Sequence, residues 1–159
     1  MLSFTSPVAG LALTGFTAPT FTIAEEVATT AYKRSWIVTS LGGTQPGVRA
    51  HSASDPFRVT LTRPANFSAP PLVNPATYVL NGKPQMNVFN LKIEKGMYTT
   101  GGASSGSWVG VFDANYKLVA GADVNDVPNI KGMLSFLGGL LGLVANVNSI
   151  HDSFIQGSL

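Results

Sequence analysis

The chain has 159 residues, of which only 11% are charged and 45% are hydrophobic, whereas a typical soluble domain is about 25% charged. One domain with a real core fits this length, but so little charge leaves a lone monomer short of polar surface, so an obligate oligomer or assembly is expected. With no cysteine and only His51 and His151, disulfides, thiol chemistry and a conventional zinc site are excluded.

Residues 1–30 are rich in Thr, Ala and Pro, with short apolar pieces that predict weak strands or an arm, turning as a hairpin through Ala18-Pro19. The first 32 residues hold no Lys or Arg, so the basic start of a secretory signal is missing and use without export is expected. "YKRSWIVTS" (Tyr32–Ser40) is β-branched and aromatic and predicts a strand ending in the turn "LGGTQPG". "FRVTLTR" (Phe57–Arg63) alternates: Phe57, Val59 and Leu61 point one way, and Arg58, Thr60 and Thr62 the other. The proline-rich stretch after Pro64 reads as an insertion, with a turn at Asn81-Gly82. "VFNLKIEK" alternates again, with Phe89, Leu91 and Ile93 opposite Asn90, Lys92 and Glu94, and "SWVGVFDANYKLVAGA" is a further strand.

After Asp126 the period changes to that of a helix. Asp126 is a candidate cap and Pro128 suits the first turn. Met133 to Ala145 is an apolar run of thirteen residues, whereas a bilayer span needs roughly 20, so a helix buried against protein is expected. Ser135, Gly139, Gly142 and Asn146 recur three or four apart and form a narrow stripe on which another backbone can approach. "SIHDSFI" predicts a second short helix. Strands first and a helical pair last make an α+β fold.

Catalytic chemistry is absent. "SIHD" contains triad letters, but a triad is defined by spatial geometry rather than adjacency. "GGASSGSW" lacks the Lys-Ser/Thr of a phosphate-binding loop. No cofactor is called for, and an enzyme is the poorest reading. Charge is more informative. From Lys33 to Lys117 lie nine of the ten basic residues and three acids, a balance of +6, while the two ends carry one base and five acids, −4. A basic middle points to a polyanion against one surface. The polar side of the alternating strands, Arg58, Thr60, Thr62, Asn90 and Lys92, offers cations and hydrogen-bonding groups of the kind used on single-stranded RNA; an ordinary solvated face is the plainer alternative.

Taken together, "FRVTLTRP", "NVFNLKIEK", "WVGVFDANYKL", "NIKGMLSFLGGLL" and a C-terminal "IHDSFIQGSL" resemble, in order and spacing, a coat protein of the single-stranded RNA bacteriophages, the leviviruses. The resemblance spans about Phe57 to Leu159. It implies an N-terminal hairpin, an antiparallel sheet of about five strands and two C-terminal helices in an interlocked dimer. One coat-protein domain would cover 1–159: an arm or hairpin at 1–31, a sheet at 32–122 with an insertion at 65–86, and a helical pair at 127–156. Dimers of such subunits build an icosahedral shell around the genome in the bacterial host cytoplasm, and the shell carries a single-copy maturation protein. The inner sheet face binds an RNA hairpin, which represses translation and marks the genome for packaging. Carried across, the RNA-binding positions are Arg58, Thr60, Thr62, Asn90 and Lys92, with Tyr116 as the stacking ring and Phe112 competing for that role. Ser135, Leu137, Gly139, Leu141 and Gly142 would lie in the dimer interface. Two rivals remain from the residues alone. One is a non-viral β-rich structural or adhesive subunit; the other is a small membrane-active protein using Met133–Ala145.

Overall fold

The computed structural model describes residues 4–11, 13, 15–28, 30–72, 74–77, 82–98 and 107–141. Six strands, β1 (Val8–Ala9), β2 (Thr17–Glu25), β3 (Lys33–Thr44), β4 (Phe57–Thr62), β5 (Met86–Tyr98) and β6 (Ser107–Val119), precede two helices, α1 (Ala122–Asn125) and α2 (Val127–Leu141). The strands form one sheet in the order β1-β2-β3-β4-β5-β6, with every neighbouring pair antiparallel. The count is thus six rather than about five, because residues 1–31 contribute two strands to the same sheet. The expected helix over "SIHDSFI" and the turn at Asn81 lie outside the described residues.

Two local expectations are corrected. Ala18-Pro19 is not a hairpin tip; it sits inside β2, where Pro19 is fully buried and the pairing with β3 slips between Thr17 and Thr20. β3 likewise runs past Ser40 through Gly42 and Gly43 to Thr44. These glycines read as a turn but are needed for close approach. Gly43 adopts φ +70°, and a Cβ there would collide with the Ala18 carbonyl.

Alternation along the strands gives the sheet two unlike faces, since directly paired residues project to the same side. Trp36, Val59 and Ile93 pair in one row, with Phe112 beyond them. Ser35, Thr60, Lys92 and Asp113 form the neighbouring row on the opposite face. The chain covers only part of its apolar face. Phe4 meets Trp36 edge-on at 4.8 Å, and Phe21 meets Phe57 at 5.7 Å. Trp36 and Val38 are buried there. Toward β5 and β6 the same face is open, with Phe112, Met97 and Trp108 exposed.

α2 does not close that gap. Val127 opens it and Pro128 falls in its first turn, as expected; the Asn129 amide donates to the Asp126 carboxylate at 2.8 Å. Yet no residue of α2 is buried, and its packing within the chain is on α1. Met133, Leu134, Phe136 and Leu137 are all exposed, Phe136 to 69%. An apolar helix facing water is unfavourable unless another surface covers it.

Candidate functional site

The polar face carries a cleft of about 410 Å³ lined by Glu26, Val27, Ala28, Lys33, Ser35, Arg58, Thr60, Lys92 and Glu94. Its floor comes from β3, β4 and β5, whose period-two polar positions fall into register: Ser35 beside Thr60, and Thr60 beside Lys92. One wall is the segment 26–28 that leaves β2. Glu26 reaches Arg58 at 2.7 Å, and Arg58 Nη2 donates to its Oε1 at 2.9 Å. Glu94 accepts from Lys92 Nζ at 2.6 Å and lies 3.9 Å from Arg58. Three cations therefore surround the cleft together with two carboxylates, and two of the three are already paired.

The other expected residues are placed unevenly. Thr60 is the most enclosed of the row, at 6% exposure, and its hydroxyl lies 3.1 Å from that of Ser35. The Asn90 amide nitrogen donates to Asp113 and, at 3.1 Å, to Asn115. Thr62 shares the row but lies half-buried at the end of β4, outside the cleft. Tyr116 is a correction. It pairs with Phe89, its ring 6.4 Å from that ring, so it belongs to the apolar face together with its rival Phe112, which pairs with Ile93. No aromatic side chain lines the cleft among the described residues.

Sequence reasoning missed Glu26, Lys33 and Ser35. Lys33 and Ser35 were legible as the alternates of Arg34, Trp36 and Val38; Glu26 lies beyond the end of β2 and gave no periodic signal. Glu94, a carboxylate that would repel phosphate if bare, is paired with Lys92.

Of the helical positions, Ser135, Leu137, Gly139 and Leu141 are exposed on α2, while Gly142 is outside the described residues. A Cβ at Gly138 or Gly139 would meet nothing within 4 Å in this chain. No helix among the described residues is long and apolar enough to cross a membrane.

No protein-family profile and no curated protein sequence matches the chain. Among solved structures it is similar to the virus-like particle of bacteriophage ESE020. The two share 33% identity at a TM-score of 0.85, with 100% of each chain covered. This chain belongs to the levivirus coat proteins. The virus-like particle of Beihai levi-like virus 32 is more distant, at 17% identity and TM-score 0.44 over 80% of this chain and 88% of that one. A levivirus coat protein is a capsid subunit located in the virion and not an enzyme, which removes the adhesive-subunit and membrane-active rivals. The six-stranded antiparallel sheet followed by helices is the α+β coat-protein fold that the order of the segments implied.

Proposed function

We propose that this coat protein assembles as an interlocked dimer, that dimers close into an icosahedral shell around a single-stranded RNA genome, and that the polar sheet face binds an RNA hairpin that represses translation and marks the genome for packaging. A single-copy maturation protein completes the particle, and assembly takes place in the bacterial host cytoplasm. The observation that carries this reading is the unlikeness of the two sheet faces. One presents a polar cleft with Lys33, Arg58 and Lys92. The other is apolar and partly bare, on a chain whose own helix leaves an apolar surface unused.

Two bare apolar surfaces that do not meet within one chain can meet between two. Burying a Leu, Met or Phe side chain is worth about 1.5–3 kcal/mol, and α2 offers several. β6 adds an outer edge thirteen residues long with no strand beside it among the described residues. Such an edge is a template for another chain, and two copies of β6 related by a two-fold axis can pair along it. The shell then places one face of the joined sheet inward, where hydrogen-bonding and cationic groups meet the genome.

The test has two arms. Light scattering at micromolar concentration should give a dimer or particles, and a well-folded monomer would refute the interlocked dimer. Filter binding of assembly-deficient dimers to the phage's replicase-start hairpin and to a scrambled control should show preference for the former. Equal binding of both, unchanged by Lys92→Ala and Arg58→Ala, would refute the hairpin reading.

A further inference from the structure

The proline-rich segment between β4 and β5 reaches the corner where β6 gives way to the helices, and that corner decides where α2 points. Ala120 ties the end of β6 to the sheet: it is buried, and its amide donates to the Gln85 carbonyl at 2.9 Å. Gly121 then turns the chain at φ +89°, a conformation that favours glycine. Its carbonyl accepts from the Asn125 backbone amide at 3.0 Å and from the Asn125 side chain at 2.9 Å, which closes α1 onto the turn. The packing of α2 within the chain is on α1, so α2 inherits its angle to the sheet from the turn at Gly121.

Pro70 abuts this turn from outside: a Cβ built on Gly121 would lie 2.8 Å from Pro70 Cβ. The segment that carries Pro70 is held at its base. The Ser68 amide donates to Asn87 Oδ1 at 2.8 Å, with Asn87 buried, and the Phe67 ring centroid lies 6.0 Å from that of Phe89. The segment is also stiff. Pro70 and Pro71 have fixed φ, and Ala69 and Pro70 each precede a proline, which keeps them out of the helical region. Between the segment and α1 remains a cavity of about 300 Å³, lined in part by Ser68, Pro70, Asn87, Asp123 and Asn125. That space leaves α1 room to tilt once Pro70 is withdrawn. We propose that Phe67–Pro70 is a wedge that fixes the direction in which α1 and α2 leave the sheet, so that each subunit offers its apolar helix for assembly at one angle. Ser68, Pro70 and Asn87 are its positioning residues. The inference concerns the geometry within one chain and is independent of which surface of a neighbour α2 meets.

The chain lacks cysteine, so Thr22→Cys on β2 and Lys131→Cys on α2, both exposed positions, take spin labels without background. The distance between them is read in the full-length, unassembled protein, with labelled chains diluted into unlabelled ones so that only pairs within a chain count. The ten residues from Gly121 to Lys131 span at most about 15 Å at helical rise, so a swing of about 15° about Gly121 moves the helix label by about 4 Å. Pro70→Gly, which removes the ring and its stiffness, and Asn87→Leu, which removes the acceptor for Ser68, should each shift or broaden the distance on that scale. Both should also raise the protein concentration needed for particles by roughly three- to tenfold, because a helix not held at one angle has to be ordered during association. Leu72→Ala, at an exposed position of the same segment, should change neither. Pro70 is itself exposed on its other side, so Pro70→Gly keeps the core and decides alone if Asn87→Leu does not fold. An unchanged distance overturns the wedge, even where the unfolding midpoint falls or assembly weakens, since the segment would then act only as support or as a contact between subunits. A shifted distance with unchanged assembly overturns its part in presenting the helix.

Discussion

Glu26→Gln should strengthen RNA binding, although it removes a residue from the cleft itself. Glu26 holds Arg58 at 2.7 and 2.9 Å, with about a third of each side chain exposed. Ion pairs so open to water are worth about 0.2–1 kcal/mol. A phosphate that takes Arg58 must first displace this carboxylate, so the wild-type affinity is lowered by that amount. The amide keeps the shape and removes the charge, and the affinity should rise by about 1.5- to 5-fold, the same energy expressed as a ratio. The salt dependence should steepen as well. Each phosphate neutralised adds roughly 0.7 to the log–log slope for single strands, and freeing Arg58 adds at most one such contact. The assay is filter binding of assembly-deficient dimers to one hairpin across a salt series, with Glu25→Gln as control. Glu25 pairs with Trp36 in the register and with Arg34 as an ion pair, which puts the same charge change on the other face. Weaker binding by Glu26→Gln would mean that the carboxylate orients Arg58 for RNA instead of competing for it. No change in affinity or slope would place Arg58 outside the RNA contact.

Thr60→Ala should lower stability by about 1 kcal/mol, seen in urea unfolding, because its enclosed hydroxyl is bonded to Ser35; an unchanged midpoint would refute that bond. Gly139→Leu should leave the isolated chain unstrained, since a Cβ there meets nothing within 4 Å, yet block particle formation seen by electron microscopy, because overpacking a contact costs about 1–3 kcal/mol. Asp55→Asn should cost about 2 kcal/mol in thermal unfolding at neutral pH, because this enclosed carboxylate accepts from Arg49 and, at 2.8 Å, from Lys95. Burial alone would raise the Asp55 pKa, but the hydrogen bonds and charges of Arg49 and Lys95 outweigh it and hold it below the usual carboxylate value. The stabilisation is therefore present above the unfolded pKa and lost as pH falls through the lowered folded one, so wild type and Asp55→Asn should converge in acid.

What was legible in the sequence was whatever obeys a strict period. Phe57, Val59 and Leu61 against Arg58, Thr60 and Thr62 fixed both faces of β4, and β5 repeated the pattern, so the polar row was readable before any coordinates. Tyr116 was misplaced although the same rule applied: Trp108, Phe112, Tyr116 and Leu118 are all even-numbered positions of β6, and they share the apolar side. A shift of one residue in register exchanges the faces, and an alignment taken from a resemblance carried that shift. Gly42 and Gly43 misled for a different reason. Glycine marks turns and close backbone approaches alike, and only the pairing with β2 tells them apart. Ion pairs between strands, such as Arg58 with Glu94, need the register before they can be named at all.

That pairing alters what the basic middle of the chain means. Of its nine cations, Arg34, Arg49, Arg58, Lys92 and Lys95 are matched by Glu25, Asp55, Glu26 and Glu94. Glu25 and Glu26 come from outside the basic middle, so these pairs lower its excess from +6 to +4 and leave the remaining charge at its unpaired cations. On the polar face Lys33 and Lys117 keep no carboxylate partner among the described residues. They lie on either side of the cleft's paired core, Lys33 on β3 and Lys117 on β6. On the proposed RNA-binding reading, a face built this way would draw RNA to its flanks and make its centre answer to shape and hydrogen bonding, because a ligand gains little there by charge alone. Phosphate contacts position a nucleic acid without reading it, and hydrogen bonds to bases read it. On that reading the internal ion pairs would separate the two tasks in space, and a strand of arbitrary sequence that satisfied Lys33 and Lys117 would still have to displace Glu26 and Glu94 before it could occupy the cleft.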